Sequence, residues 1–154
     1  LLHAMKETFD IIIIDGGQAL DGPALKVIEM AEQLILITEL SLTCLHNANR
    51  LLRSLEALGV IDRDRIQLVV NRYQKRNDIT IEEAEEALKK EIFWKIPNDY
   101  KVTQSAINRG LPLHEVSSRA DVTRAIEGLA KTLVTDETKL KPKENKSKWK
   151  FFRN

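Results

Sequence analysis

The apolar positions of this chain come in short blocks that alternate between two periods. Phe9-Asp10-Ile11-Ile12-Ile13-Ile14-Asp15 carries four consecutive isoleucines with no period-two alternation. Such a β-branched run predicts a strand buried on both faces, as inside a parallel sheet. Apolar runs at 33–38, at 65–71 (centred on Ile66, Leu68, Val69 and Val70) and at 92–96, halted by Pro97, predict three more strands. Between these blocks the apolar spacing becomes helical. Helices are expected over about 24–32, 41–58, 80–89, 99–109 and 121–134, and residues 1–8 read as the end of another. Ser41 is a candidate N-cap, Thr80-Ile81-Glu82-Glu83 a capping box, and Gly59 and Gly110 candidate C-terminal stops. Leu45, Ala48, Leu52, Leu55 and Leu58 form one helical stripe; Val122, Ile126, Leu129 and Leu133 form another. Strands alternating with helices predict an α/β fold, a Rossmann-like parallel sheet with helices on both faces.

In such a sheet the loops that follow the strands gather along one edge, where open α/β folds bind their ligands. Three of these loops are informative: Asp15-Gly16-Gly17, Asn71-Arg72-Tyr73 and Pro97-Asn98-Asp99-Tyr100. An Asp that ends a buried apolar strand either presents a carboxylate to a ligand, as a Walker B Asp does to Mg²⁺, or merely begins a turn. That stretch alone leaves both open. An Asn beside it has a donor and an acceptor for the edge of a base. Taken singly, each loop reads as turn chemistry. Their convergence on one edge predicts a site.

Composition narrows the function classes. A chain of 154 residues with 31% charged and 43% hydrophobic side chains is an ordinary globular domain with room for a core. Its one cysteine, Cys44, excludes an internal disulfide framework and fits a reducing cytosol. His3, His46 and His114 lack metal-ligand spacing, and neither G-x-S-x-G nor the phosphate cradle G-x-x-x-x-G-K-[ST] occurs. Glu82, Glu83, Glu85 and Glu86 read as a solvated helix face near a favourable dipole. No apolar run approaches the ~20 residues that span a bilayer. The chain starts in mid-pattern at Leu1-Leu2 without Met, so it is expected to be cut from something longer. The net charge of +1 hides a split: residues 139–154 hold six lysines and Arg153 against Glu144, which leaves +6, so residues 1–138 carry −5. That asymmetry predicts an interaction tail, and the acidic body argues against nucleic acid as a partner.

The spacing of these pieces resembles the MinD/ParA family of deviant-Walker ATPases. Within it the chain looks like the C-terminal portion of the CpaE/TadZ branch, which serves Flp (tight-adherence) pilus assembly. The resemblance rests on the 9–15 run, the 34–38 strand, Leu68-Val69-Val70-Asn71-Arg72-Tyr73, Ile96-Pro97-Asn98-Asp99-Tyr100 and Ala106-Ile107-Asn108-Arg109-Gly110-Leu111-Pro112-Leu113, and covers roughly 9–134. It implies a P-loop NTPase fold, incomplete at its N-terminus, over residues 1–135, followed by a basic aromatic tail over 136–154. It implies that Asp15 holds Mg²⁺ through water, that Asn71 and Arg72 flank the adenine of ATP, and that Pro97, Asn98 and Asp99 close the other side of base and ribose. It further implies an ATP-dependent homodimer that works with pilus or secretion machinery. Two departures stand out: the family's lysine-bearing P-loop is not among these residues, and Gly16-Gly17-Gln18 stands where the family usually has a Pro. ATP and Mg²⁺ are therefore expected only when a P-loop segment is present, and no catalytic residue is expected on this chain. The alternatives are a non-hydrolysing scaffold on the same fold, or an ATPase of cell division or chromosome partition. The ending Lys148-Trp149-Lys150-Phe151-Phe152-Arg153 suits an anionic membrane surface, which would make a cytoplasmic protein peripheral at the inner face of the cell membrane; a disordered solubilising tail is the other reading.

Overall fold

The computed structural model describes residues 2–17 and 19–136. Among them the elements follow in the order α1 (Leu2–Thr8), α2 (Gly22–Met30), β1 (Leu34–Thr38), α3 (Leu42–Leu58), a 3₁₀ turn (Arg63–Arg65), β2 (Ile66–Tyr73), α4 (Ile81–Leu88), β3 (Ile92–Pro97), α5 (Tyr100–Arg109), α6 (Leu113–Ser117) and α7 (Asp121–Asp136). Among the described residues the sheet has three parallel strands in the order β1-β2-β3. This is the expected α/β architecture, and the caps are local: Ser41 Oγ accepts from Cys44 N–H, Thr80 and Glu83 form a full capping box, and Gly59 and Gly110 are left-handed C-caps.

The core lies between the sheet and the α3–α4 pair. Leu45, Ala48, Leu52 and Leu55 of α3, Ile66 and Leu68 of β2, and Ala84 and Leu88 of α4 are all buried in it. Leu58, the last member of the predicted α3 stripe, is exposed beside the Gly59 cap. On the opposite face α7 covers β3. Trp94 Nε1 donates to Ala125 O (2.9 Å), and a Cβ added at Gly128 would meet Trp94 Cζ2 at 2.9 Å, so only glycine lets this helix approach so closely. Val122 of α7 is buried, but Ile126, expected on the same stripe, is partly exposed.

The strand expected over residues 9–15 is not formed. The segment leaves α1 as extended, unpaired chain, and all of it except Ile12 is exposed, with Ile13 at 90%. Being β-branched favours an extended backbone, but a buried strand also needs hydrogen-bonding neighbours and covered faces. Neither is available: among the described residues β1 pairs only with β2, and its face holding Ile35 and Ile37 is itself open, with Ile37 at 60% exposure. Of the four expected strands, the three over 33–38, 65–71 and 92–96 are present and the one over 9–15 is not. The tail from residue 137 onward, including Lys148, Trp149, Lys150, Phe151, Phe152 and Arg153, lies outside the described residues.

Candidate functional site

The carboxyl ends of the three strands carry an open cleft of about 540 Å³, lined by Glu39, Ser41, Arg72, Gln74, Asn98 and Tyr100 among others. Each strand contributes one wall. Glu39 and Ser41 lie between the end of β1 and the start of α3. Arg72 sits near the end of β2. Asn98 lies in the connection from β3 to α5, and Tyr100 is the first residue of α5.

The β2 wall is shaped by a bulge. Between the pairs Val70↔Lys95 and Tyr73↔Pro97, β2 advances three residues while β3 advances two. The extra residue falls at Asn71-Arg72, and Arg72 takes a left-handed backbone (φ 51°), uncommon for a side chain larger than Asn. Its N–H donates to Asn71 Oδ1 (2.9 Å), so the Asn71 amide folds over the bulge and keeps its NH₂ and one lone pair for other partners. The Arg72 guanidinium reaches across to the Glu39 carboxylate at 3.4 Å. The Arg72 side chain is mostly exposed and Glu39 partly so, so this pair adds little to stability.

The β3 wall is more rigid. Pro97 pairs with Tyr73, and Asn98 N–H continues the ladder by donating to Tyr73 O (2.9 Å). The Asp99 carboxylate caps α5, accepting from Val102 N–H (3.1 Å), while its carbonyl accepts from Thr103. Asp99 thus has a structural task, and Tyr100 is turned out beside the cleft with 69% of its surface exposed.

Of the residues expected from sequence, the cleft lining takes in Arg72 and Asn98; Asn71, Pro97 and Asp99 are adjacent to them in the chain but do not line it. Asp15 does not line it. Its Oδ1 accepts from Gly17 N–H (3.1 Å) in a tight turn at the end of the exposed 9–15 segment, with Gly17 at φ 62°. Glu39 and Gln74 are not among the residues that sequence reasoning points to, and Tyr100 enters it only as the end of its loop. Glu39 is accessible to the same reasoning as the others, since it directly follows a predicted strand.

A smaller pocket, about 310 Å³, opens at the amino edge of the sheet beside Arg63, Lys89 and Lys90. Its polar groups are already used as a clamp. Arg63 pairs with Glu56 and donates to Leu88 O and Lys89 O, and Lys90 Nζ donates to Arg63 O. Burial, reinforced by the Arg63 charge, pushes the Lys90 pKa down.

Comparison with known proteins identifies the family of the chain. The family model described as "4Fe-4S iron sulfur cluster binding proteins, NifH/frxC family" matches residues 2–150. A chloroplastic septum site-determining minD homolog of Arabidopsis thaliana is 33% identical over 109 residues, 68% of this chain and 32% of its own length. The crystal structure of a ParA family ATPase from Chlorobium tepidum superposes with TM-score 0.77 at 26% identity, over 84% of this chain and 53% of that one. MinD complexed with Mg-ADP from Pyrococcus horikoshii has the same fold, with TM-score 0.70 at 24% identity, over 86% of this chain and 53% of that one. The chain thus spans about a third to a half of the length of these relatives.

The cofactor in the matched family's description does not fit the residues present. A 4Fe-4S cluster takes four thiolates; this chain has Cys44 alone, and no group of three His, Cys, Asp or Glu among the described residues is arranged to hold a metal. A nucleotide fits better at its base end, where the cleft offers amide, guanidinium and aromatic groups on backbone fixed by ladder bonds. The family match along nearly the whole chain and the shared α/β fold lead to one conclusion: the chain belongs to the NifH/frxC family and, with its MinD and ParA relatives, to the MinD/ParA-type P-loop NTPases.

Proposed function

We propose that residues 1–135 are the C-terminal portion of a CpaE/TadZ-like ATPase domain that positions or assembles Flp/type IV pilus secretion machinery. The observation that carries the nucleotide part of this reading is the carboxyl-edge cleft, where the Asn71-Arg72 bulge faces Asn98 and Tyr100. In this reading Asn71, Arg72, Pro97, Asn98 and Asp99 hold the base and ribose of ATP. Asp15 meets Mg²⁺ through water, and a P-loop segment from outside residues 1–154 supplies the phosphate cradle. The nucleotide then lies at the interface of a homodimer. The pilus role rests on the Ile96-Pro97-Asn98-Asp99-Tyr100 motif and the 106–113 motif.

Residues 1–154 alone should hydrolyse no ATP and bind it weakly, because without a cradle nothing grips the β- and γ-phosphates. Calorimetry that found tight, Mg²⁺-dependent ATP binding to this chain would overturn the reading. In a form that carries a P-loop, Asp15→Ala should impair Mg²⁺-nucleotide binding and Asn71→Ala should weaken discrimination of ATP from GTP. An unchanged preference in the latter removes Asn71 from the site.

A second reading, a MinD/ParA-type ATPase of division or partition, is favoured by the curated relatives, which are septum site-determining proteins. Deleting the gene in its host separates the two: loss of pili with normal septa supports the first, misplaced septa the second. A third, a non-hydrolysing scaffold, requires that the full protein hold no lysine-bearing Gly-rich loop. In all three the tail over 136–154 binds the anionic inner face of the cell membrane through Lys148, Trp149, Lys150, Phe151, Phe152 and Arg153. Vesicle co-sedimentation checks this. Binding should need anionic lipid, weaken with salt, and disappear when Trp149, Phe151 and Phe152 are changed to Ala.

A further inference from the structure

The cleft holds an arrangement that the sequence motifs do not assign. Tyr100 is a large aromatic left 69% exposed beside a mostly polar cleft whose other apolar lining residue is Leu40, and it follows the Asn98–Tyr73 bond and the Asp99 cap at the start of α5. The strained bulge at Arg72 is the second feature. A left-handed backbone at a long side chain persists only where the surroundings enforce it, and such outliers cluster at ligand sites. Here its result is a guanidinium carried over the cleft and held by Glu39, the acidic residue of the cleft lining. A planar guanidinium and a phenol ring lining one cleft, with Asn98 and Asn77 in the lining and Asn71 next to Arg72, form the kind of surface that takes a flat heteroaromatic ring.

Building on the nucleotide reading, we propose that Tyr100 stacks on the base and that Glu39 is a positioning residue, acting only through the Arg72 guanidinium that forms the other wall. Every base has a π-face, so stacking sets affinity without choosing among purines; discrimination is left to the Asn amides.

The test uses the 1–154 chain and two probes without phosphates, adenosine and guanosine, titrated by NMR. The expected result is movement of the Asn71 and Asn98 amides, with upfield ring-current shifts on the nucleoside protons. Tyr100→Ala should weaken both nucleosides about fivefold or more and by equal factors, and abolish the upfield shifts. Tyr100→Phe should stay within about twofold of the native chain, since the ring that stacks is kept. Glu39→Gln should weaken both nucleosides in the native background and have no effect once Arg72 is Ala, as a residue acting only through Arg72 must. If the two Asn amides move but Tyr100→Ala retains full affinity, the stacking inference is overturned and the nucleotide reading stands. If Glu39→Gln weakens binding equally with and without Arg72, its positioning role is overturned. If neither nucleoside moves those amides, the nucleotide reading falls and the inference with it.

Discussion

Two runs of nearly the same composition end in opposite places. Leu68-Val69-Val70 of β2 is wholly buried, whereas Ile11-Ile12-Ile13-Ile14 is extended, unpaired and mostly in solvent. The residues themselves do not explain this, since four isoleucines are at least as apolar and β-prone as Leu-Val-Val. Neighbours do. β2 has β1 on one side and β3 on the other, with α3 and α4 on one face and α7 nearby on the second. Among the described residues the isoleucine run has no strand to pair with, and the open face of β1 is also uncovered. Strand propensity selects the backbone shape; burial is a collective property of the sheet.

Stability measurements test this comparison most directly. Leu55→Ala, at a fully buried position in the core shared with β2, should cost about 2–5 kcal/mol in urea unfolding. Ile13→Ala should change stability by no more than about 0.5 kcal/mol in the same chain. A core-sized loss for Ile13→Ala would mean that the 9–15 segment is buried after all.

The exposed half should also betray itself by association. Phe9, Ile11, Ile13, Ile35 and Ile37 present apolar surface, and β1 has an edge without a strand partner among the described residues. Light scattering on the chain should show self-association, reduced by Ile13→Glu with Ile37→Lys. A clean monomer with cooperative unfolding would count against this.

The α7–β3 contact lies between these extremes. Gly128→Ala would gain about 1 kcal/mol of helix propensity but drive a methyl into Trp94, whose ring is held by its bond to Ala125. Overpacking of about 1–3 kcal/mol should win, so the variant should be less stable. A gain in stability would show that the ring can move aside.

Lys90 should give the smallest effect. Its folded-state pKa lies below its ordinary value of 10.5, so between the two the unfolded chain binds the extra proton. Stability should therefore rise slightly as pH rises through that window, and this part of the slope should vanish in Lys90→Met. An identical slope in the variant would show that the group does not contribute.

Much of the fold and part of the site were determined by sequence alone, and for local reasons. Ser41, Thr80 with Glu83, Gly59 and Gly110 cap as their chemistry requires, because a cap needs only its own turn. The stripe from Leu45 to Leu55 and the strands expected over 33–38, 65–71 and 92–96 were legible from their periods, although β2 runs on to Tyr73 and β3 includes Pro97, and the order of these blocks brought Arg72 and Asn98 to one edge. Only the tertiary structure decided the rest. The bulge that turns Arg72 toward Glu39 depends on a register between β2 and β3 that no single segment encodes. Asp99 is engaged in capping α5, and Tyr100, the first residue of that helix, lines the cleft. The 9–15 run, the most strand-like in the sequence, stayed outside the sheet: pairing and burial require partners on both sides, and a run of isoleucines cannot supply its own.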